Sequence, residues 1–327
     1  MEKMPKWQAV LRIAGFIGCV FLLTCMVTMI LKPKRLDAPY DNTGKVRGFY
    51  MEEANSLDLV FIGSSQVFST IMPSVLEEET GLSSYVFAGN EQPFSISYYY
   101  IMEALKYQNP KAIVLETTFC NWGDMPRDAV VRINFDDMRW GKAKCLGILN
   151  NTEPQNWEYF FFELSKYHSR WDALNARDLA IKDAYFTKNE TKGWSFYEKS
   201  DDPAKQYGKT VKEEVLNCTQ RKELDENALK WLSKIAALCK EEEVQLILLK
   251  TPNDGEIICP SGGESDEEAI EYIDGMAYYN SLGDYAKEEG IPFLNMNMVM
   301  PGTNHNDAEN ARKATSYFGK WVQDYLE

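Results

Sequence analysis

The sequence predicts an α/β fold, a parallel sheet covered by helices on both faces, set behind an apolar helix of membrane length. Two observations carry the sheet. Runs such as Leu59-Val-Phe-Ile62 and Ala112-Ile-Val-Leu115 are apolar at every position, which marks strands buried on both faces rather than strands with one wet face. Helical patterns alternate with these runs along the chain, as βαβ crossovers require. The third observation is the stretch Ile13 to Leu31, which contains no charged residue. At about 1.5 Å of rise per residue it reaches roughly 28 Å, enough to cross the hydrocarbon core of a bilayer.

Taken in order, the apolar helix is expected to be an uncleaved signal anchor, spanning the membrane within residues 1–35. Its apolar region is longer than the roughly 7 to 15 residues of a cleaved signal peptide, and no A-x-A-like site precedes Leu36. Lys3, Lys6 and Arg12 precede it and Lys32, Lys34 and Arg35 follow it, so charge asymmetry assigns no orientation. A single-pass protein with its large domain on the extracytoplasmic side is the expectation. Residues 36–56 read as a linker, and 57–327 as one α/β domain with an insertion at about 119–219.

The first strand is expected over 57–63. A turn and a helix follow over 67–79, regular from Pro73, where a proline suits the first helical turn. Strand 84–88, helix 93–107 and strand 111–117 complete the first half. After the middle come helix 227–242, strand 244–250, helix 267–289, strand 291–295 and helix 307–325. In such sheets ligands sit outside the carboxyl ends of the strands. Ser65, Gly89, Thr117 to Asn121 and Thr251 to Asn253 all fall there.

The middle breaks this rhythm. It is rich in aromatics, among them Trp157, Tyr159, Phe160, Phe161, Phe162 and Trp171, with one helix expected over about 156–174. Such a segment is a lid over the strand ends or a packed subdomain, packing being the plainer reading.

Composition narrows the function. With 45% hydrophobic and 13% aromatic residues the chain is ordinary globular material, and a formal charge of −14 argues against nucleic acid or an anionic membrane surface as partner. Cys19 and Cys25 lie in the apolar helix, and Cys120, Cys145, Cys218, Cys239 and Cys259 show no C-x-x-C spacing. Neither a zinc site nor a disulfide framework is expected, and no metal or other cofactor is called for. Asn150, Asn189 and Asn217 stand in glycosylation sequons, which matter only in a eukaryotic secretory pathway. A nucleotide or flavin site lacks its G-x-G-x-x-G signature.

The residues that carry chemistry are few. In Gly63-Ser64-Ser65 the glycine permits a sharp turn off the strand, and Ser65 can present its hydroxyl where the chain enters the next helix. A plain cap or a phosphate loop is the bland alternative, but no Gly-Lys-Ser/Thr follows. The nucleophile elbow of α/β-hydrolases is unmatched, because Val67 stands where its second glycine belongs. The two histidines are His168, in the aromatic middle and read as structural, and His305, just ahead of the amphipathic last helix. Ser65 with His305 suggests a serine nucleophile and its base, hence an acyl hydrolase or acyltransferase.

These blocks together resemble the SGNH (GDSL-like) hydrolase superfamily, in particular its membrane-anchored branch related to DltD and the alginate O-acetylation proteins. The matching pieces are Phe61-Ile62-Gly63-Ser64-Ser65, Phe87-Ala88-Gly89 with Gln92-Pro93, and His305 before the last helix. Ile113-Val114-Leu115-Glu116 and Leu248-Leu249-Lys250-Thr251-Pro252 also fit strands of that branch. The resemblance spans Leu57 to the C-terminus apart from the aromatic-rich insertion, and implies the SGNH hydrolase fold, a flavodoxin-like three-layer parallel sheet. It implies Ser65 as nucleophile, His305 as general base, and an oxyanion hole from the N–H groups of Ser65 and Gly89 with the side chain of Asn90 or Asn121. With these parts the reaction is expected to pass through an acyl-enzyme, and membrane anchoring makes an acylated cell-envelope glycan or polymer the expected substrate.

The chain departs from that pattern at the acid. The family commonly has an aspartate two or three residues before the histidine, where this sequence has Thr303 and Gly302. Losing the orienting acid of a serine triad costs roughly 10⁴ in turnover. Gln66 stands where the branch often has histidine or glutamate, Asp307 and Asn310 stand where asparagine and glycine are frequent, and the stretch from Asn295 to His305 is short. A Ser-His dyad oriented by a backbone carbonyl is one expectation. A weakened or inactive relative that binds envelope glycans is the other.

Overall fold

The computed structural model describes residues 5–38, 40–196, 217–252, 266–300 and 308–326. The chain is α/β, with an N-terminal apolar helix ahead of a five-stranded, all-parallel sheet. Helix α1 runs over Lys6–Leu31 and is long and apolar enough to cross a membrane. α2 (Asn42–Phe49) leads to β1 (Leu59–Ile62), α3 (Ser65–Thr70), α4 (Pro73–Thr80) and β2 (Ser84–Val86). α5 (Phe94–Ala104) and β3 (Ala112–Glu116) follow, then the middle helices α6 (Asp128–Phe135), α7 (Lys142–Asn151), α8 (Trp157–Phe161), α9 (Glu163–Tyr167) and α10 (Ile181–Tyr185). The chain closes with α11 (Glu226–Glu241), β4 (Gln245–Lys250), α12 (Asp266–Glu288), β5 (Phe293–Asn295) and α13 (Ala308–Leu326).

The strands stand in the order β2-β1-β3-β4-β5, the order of flavodoxin-like doubly wound sheets. Leu59 is in register with Ser84 and with Ala112, and Ala112 with Gln245, so the strand ends form one rim. The alternation hidden in the apolar runs now has its reason. Val60, Ile62, Ile113, Leu115, Leu246 and Leu248 face the core shared with α5 and α11, while Leu59, Phe61, Val114, Ile247 and Leu249 face α3, α4 and α13. Phe318 of α13 packs edge-on against Phe61 at 5.2 Å between ring centres.

Two expectations are adjusted. The stretch read as a linker carries α2, whose Val46 and Phe49 are buried in the core. Phe49 stacks on Phe87, just past the end of β2, at 4.2 Å. The single helix expected over 156–174 is broken into α8, α9 and short 3-10 turns. The break falls at Phe162, with φ −117° and ψ 73°, although neither glycine nor proline stands there. Tertiary contacts override local propensity. Arg132 takes the Tyr159 carbonyl as an acceptor at 2.6 Å, and the next turn swings Glu163 inward to meet Lys32 and Lys144.

Up to residue 196 the middle is packed. Val131, Phe135, Ile148 and Phe160 join the core beneath α5, and the Val86 N–H on the edge strand donates to the Lys192 carbonyl at 2.9 Å. His168 is exposed in a 3-10 turn, with Nδ1 2.8 Å from the Ser165 carbonyl. Among the described cysteines no disulfide is present.

The base of α1 is fastened to the domain by buried charge. Lys32, just beyond the last helical residue, is buried with Glu163 at 3.1 Å, and Lys144 meets the same carboxylate at 2.9 Å. Arg170 donates to the Leu31 carbonyl and Lys34 to that of Ile30, the last turn being where cations complement a helix. Burial pushes Lys144 down to about 8, helped by the charge of Lys32. Burial opposes the charged form of Glu163 as well, but the two lysines outweigh it and hold its carboxyl below the ordinary value.

Candidate functional site

The carboxyl ends of β1, β2, β3 and β4 bring together Gly63-Ser64-Ser65, Gly89-Asn90, Glu116-Thr117-Thr118 and Lys250-Thr251. At Gly63 the chain turns with φ +150°, a conformation that L side chains rarely adopt. A Cβ there would meet Glu116 Cβ at 2.6 Å. Glycine is thus required both by the turn and by the neighbouring strand end.

The two serines have different fates. Ser64 is fully buried, and as N-cap of α3 its hydroxyl accepts the Gln66 N–H at 3.2 Å and donates to Glu116 Oε2 at 2.9 Å. Ser65 follows as the first residue of α3 and is half-buried. The serine pair therefore divides into a structural residue and one that reaches the surface.

Glu116 organises the floor of the rim. Its Oε1 accepts the Thr118 N–H at 2.8 Å and the Thr118 hydroxyl at 2.5 Å, and Thr118 in turn accepts a hydrogen bond from Lys250 Nζ at 2.9 Å. Lys250 is fully buried, with its ammonium 5.1 Å from the centre of the Tyr279 ring. A carboxylate and an ammonium are thus linked beneath the serines through one hydroxyl. Their signal lay in the sequence, since each is a charge directly after a run of four apolar residues.

The remaining sequence-predicted residues occupy definite positions. Gly89 adjoins β1, but its N–H donates to Gln92 Oε1 at 3.0 Å and to the Gly63 carbonyl at 3.2 Å. A Cβ on Gly89 would fall 1.8 Å from Asn134 Oδ1, so α6 packs directly against this turn. Asn134 also donates to the Asn90 carbonyl at 3.0 Å. Asn90 is half-buried beside this contact, and its Oδ1 is buried without a hydrogen-bond partner among the described residues. Asn121 is exposed and further along its loop, where Oδ1 accepts the Asp225 N–H at 3.1 Å and ties the loop to the start of α11. The structure thus groups Ser65, Gly89 and Asn90 at one rim and gives Asn121 a bracing contact with α11. His305, Thr303, Gly302, Asp307 and Asn253 lie outside the described residues.

Asn134, Gln92, Glu116 and Lys250 were not anticipated as parts of the site. Asn134 was hidden because α6 is in the segment where no strand rhythm locates a residue.

Among the described residues no group of histidine, cysteine, aspartate and glutamate side chains has the makings of a metal site. No protein-family model matches the chain, and no curated protein or solved structure is significantly similar to it.

Proposed function

We propose that this chain is a membrane-anchored serine esterase or O-acyltransferase of the SGNH (GDSL-like) type, acting on acylated cell-envelope glycans or polymers from the extracytoplasmic side. One observation carries the reading. Ser64 is consumed by Glu116 and by the cap of α3, and Ser65 is the serine that reaches the surface at the carboxyl end of a central parallel strand.

In this reading His305 takes the Ser65 proton as Oγ bonds to the ester carbonyl carbon. The tetrahedral oxyanion is held by the Ser65 N–H and an amide side chain, for which Asn90 is the candidate at the same rim. Collapse of the intermediate breaks the ester C–O bond, and His305 returns the proton to the leaving alkoxide. Water then attacks the acyl-serine to release an acid, or a glycan hydroxyl attacks it to form a new ester.

A second reading is favoured by the engagement of the Gly89 N–H with Gln92 and Gly63, which removes one expected oxyanion donor. In it the rim recognises an acylated glycan and does not turn it over. Fluorophosphonate labelling of the full chain in detergent separates the two. Labelling that disappears in Ser65→Ala and in His305→Ala supports the enzyme. A folded parent that resists the probe, yet retains acylated glycan equally with and without Ser65→Ala, supports the binding module.

A further inference from the structure

A groove of about 840 Å³ lies between α1 and the domain, away from the serine rim. One wall is a face of α1 that includes Phe16, Val20, Thr24 and Thr28; the other is formed by Trp140, Phe161, Phe162 and Phe186. These four aromatics are 40 to 67% exposed, an unusual concentration of large apolar surface beside a helix of membrane length. From Phe16 to Lys32 the groove follows α1 for roughly 24 Å, which exceeds the ~15 Å depth of one leaflet's hydrocarbon.

The other end of the groove is charged, and its charges do not cancel. Glu163 is matched by Lys32 and Lys144, and Asp136 by Arg132 at 3.5 Å and by the Tyr167 hydroxyl. Arg47 and Arg139 also line it, and neither has a carboxylate partner among the described residues. Each is held against an aromatic face, Arg47 at 4.6 Å from the Tyr185 ring centre and Arg139 at 4.3 Å from that of Tyr50. Arg47 Nε is buried with no acceptor. Both arginines are half-buried, a buried guanidinium N–H without an acceptor is costly, and the planar fork of the group suits phosphate.

The geometry points to a binding site for an anionic phospholipid of the surrounding bilayer, its acyl chain lying along α1 and its phosphate at Arg47 and Arg139. The occupant follows from the wall, because a groove built on a membrane-spanning helix opens into lipid. The inference rests on α1 spanning the membrane and is independent of the chemistry at Ser65.

Native mass spectrometry of the full chain in mild detergent, with equal phosphatidylglycerol and phosphatidylcholine, tests the site. The parent is expected to retain phosphatidylglycerol with a preference of about tenfold, and Arg47→Gln/Arg139→Gln to lose that preference. Val20→Trp, which fills the groove from the helix and leaves the arginines in place, is expected to lower occupancy by both lipids. Unchanged preference in the arginine variant overturns the site, as does a lipid-free dimer that occupies the groove with a second copy. Alkaline extraction of membranes reads the premise separately. A chain that washes off overturns the anchor, whereas a chain that stays but binds both lipids alike overturns the lipid site alone.

Discussion

Ser64 donates its hydroxyl hydrogen to Glu116 across 2.9 Å, joining the turn after β1 to the end of β3, and both side chains are buried. Glu116 also accepts two hydrogen bonds from Thr118, so one carboxylate fixes two of the loops that form the rim. Glu116→Ala is therefore expected to destabilise the chain by about 2–4 kcal/mol, since it strands buried donors and hydrogen bonds to a charged group count for more than neutral ones. Glu116→Gln keeps the shape and is expected to cost less. Urea unfolding of both variants checks the order, and equal midpoints for parent and alanine variant would refute the hub.

The contact between Gly89 and Asn134 is steric. Gly89→Ala forces a methyl into the space of Asn134 Oδ1, so either α6 or the turn after β2 must move. Overpacking of this kind costs about 1–3 kcal/mol. Adding Asn134→Ala clears the obstruction, and the double variant is expected to be at least as stable as the sum of the single effects minus about 1 kcal/mol of coupling. Strict additivity in a double-mutant cycle would show that the two positions do not meet.

The parallel sheet was legible because a strand buried on both faces has to be apolar at every position, and Leu59 to Ile62 and Ala112 to Leu115 show nothing else. The turn that carries Ser65 was legible for a related reason: glycine followed by serines at a strand end marks a turn. The partners that distinguish Ser64 from Ser65 were not, because Glu116 and Asn134 reach them through tertiary contact over long sequence separation. The break at Phe162 was equally hidden, since its cause is a pair of lysines from α7 and the base of α1. α2 was missed because it is short and polar on average, with its burial coming from the aromatic cluster it joins.

That cluster makes residues 36–56 part of the folding unit. Phe49 is 1% exposed, stacked on Phe87 and edge-on to Tyr85 at 5.4 Å. Phe49→Ala is expected to cost about 3–5 kcal/mol, the range for buried aromatics. A chain beginning at residue 57 loses α2 entirely and is expected to bind hydrophobic dyes and to be cleaved quickly by protease, whereas one beginning at residue 36 is expected to resist. Equal resistance of the two would show that α2 is dispensable.

Lys45 gives the fold a defined alkaline response. It is fully buried on α2, with Asp41 at 3.1 Å and its ammonium 3.4 Å from the centre of the Phe68 ring on α3, the helix that begins at Ser65. Burial pulls Lys45 down to about 8, against the opposing charge and hydrogen bond of Asp41. Below pH 8 both native and unfolded chains carry the proton, and the native state bears the full cost of the buried charge, on the order of 3 kcal/mol. Between about pH 8 and the ordinary lysine value near 10.5 the unfolded chain binds more protons than the native one, so stability rises with pH across that window. Lys45→Met removes this contribution while leaving those of Lys34 and Lys144, which burial also pulls to about 8. Melting temperatures of the full chain in detergent from pH 7 to 10.5 are therefore expected to climb more steeply for the parent than for Lys45→Met. Parallel profiles would mean that Lys45 keeps its proton in the folded chain and that Asp41 offsets the whole cost of its burial.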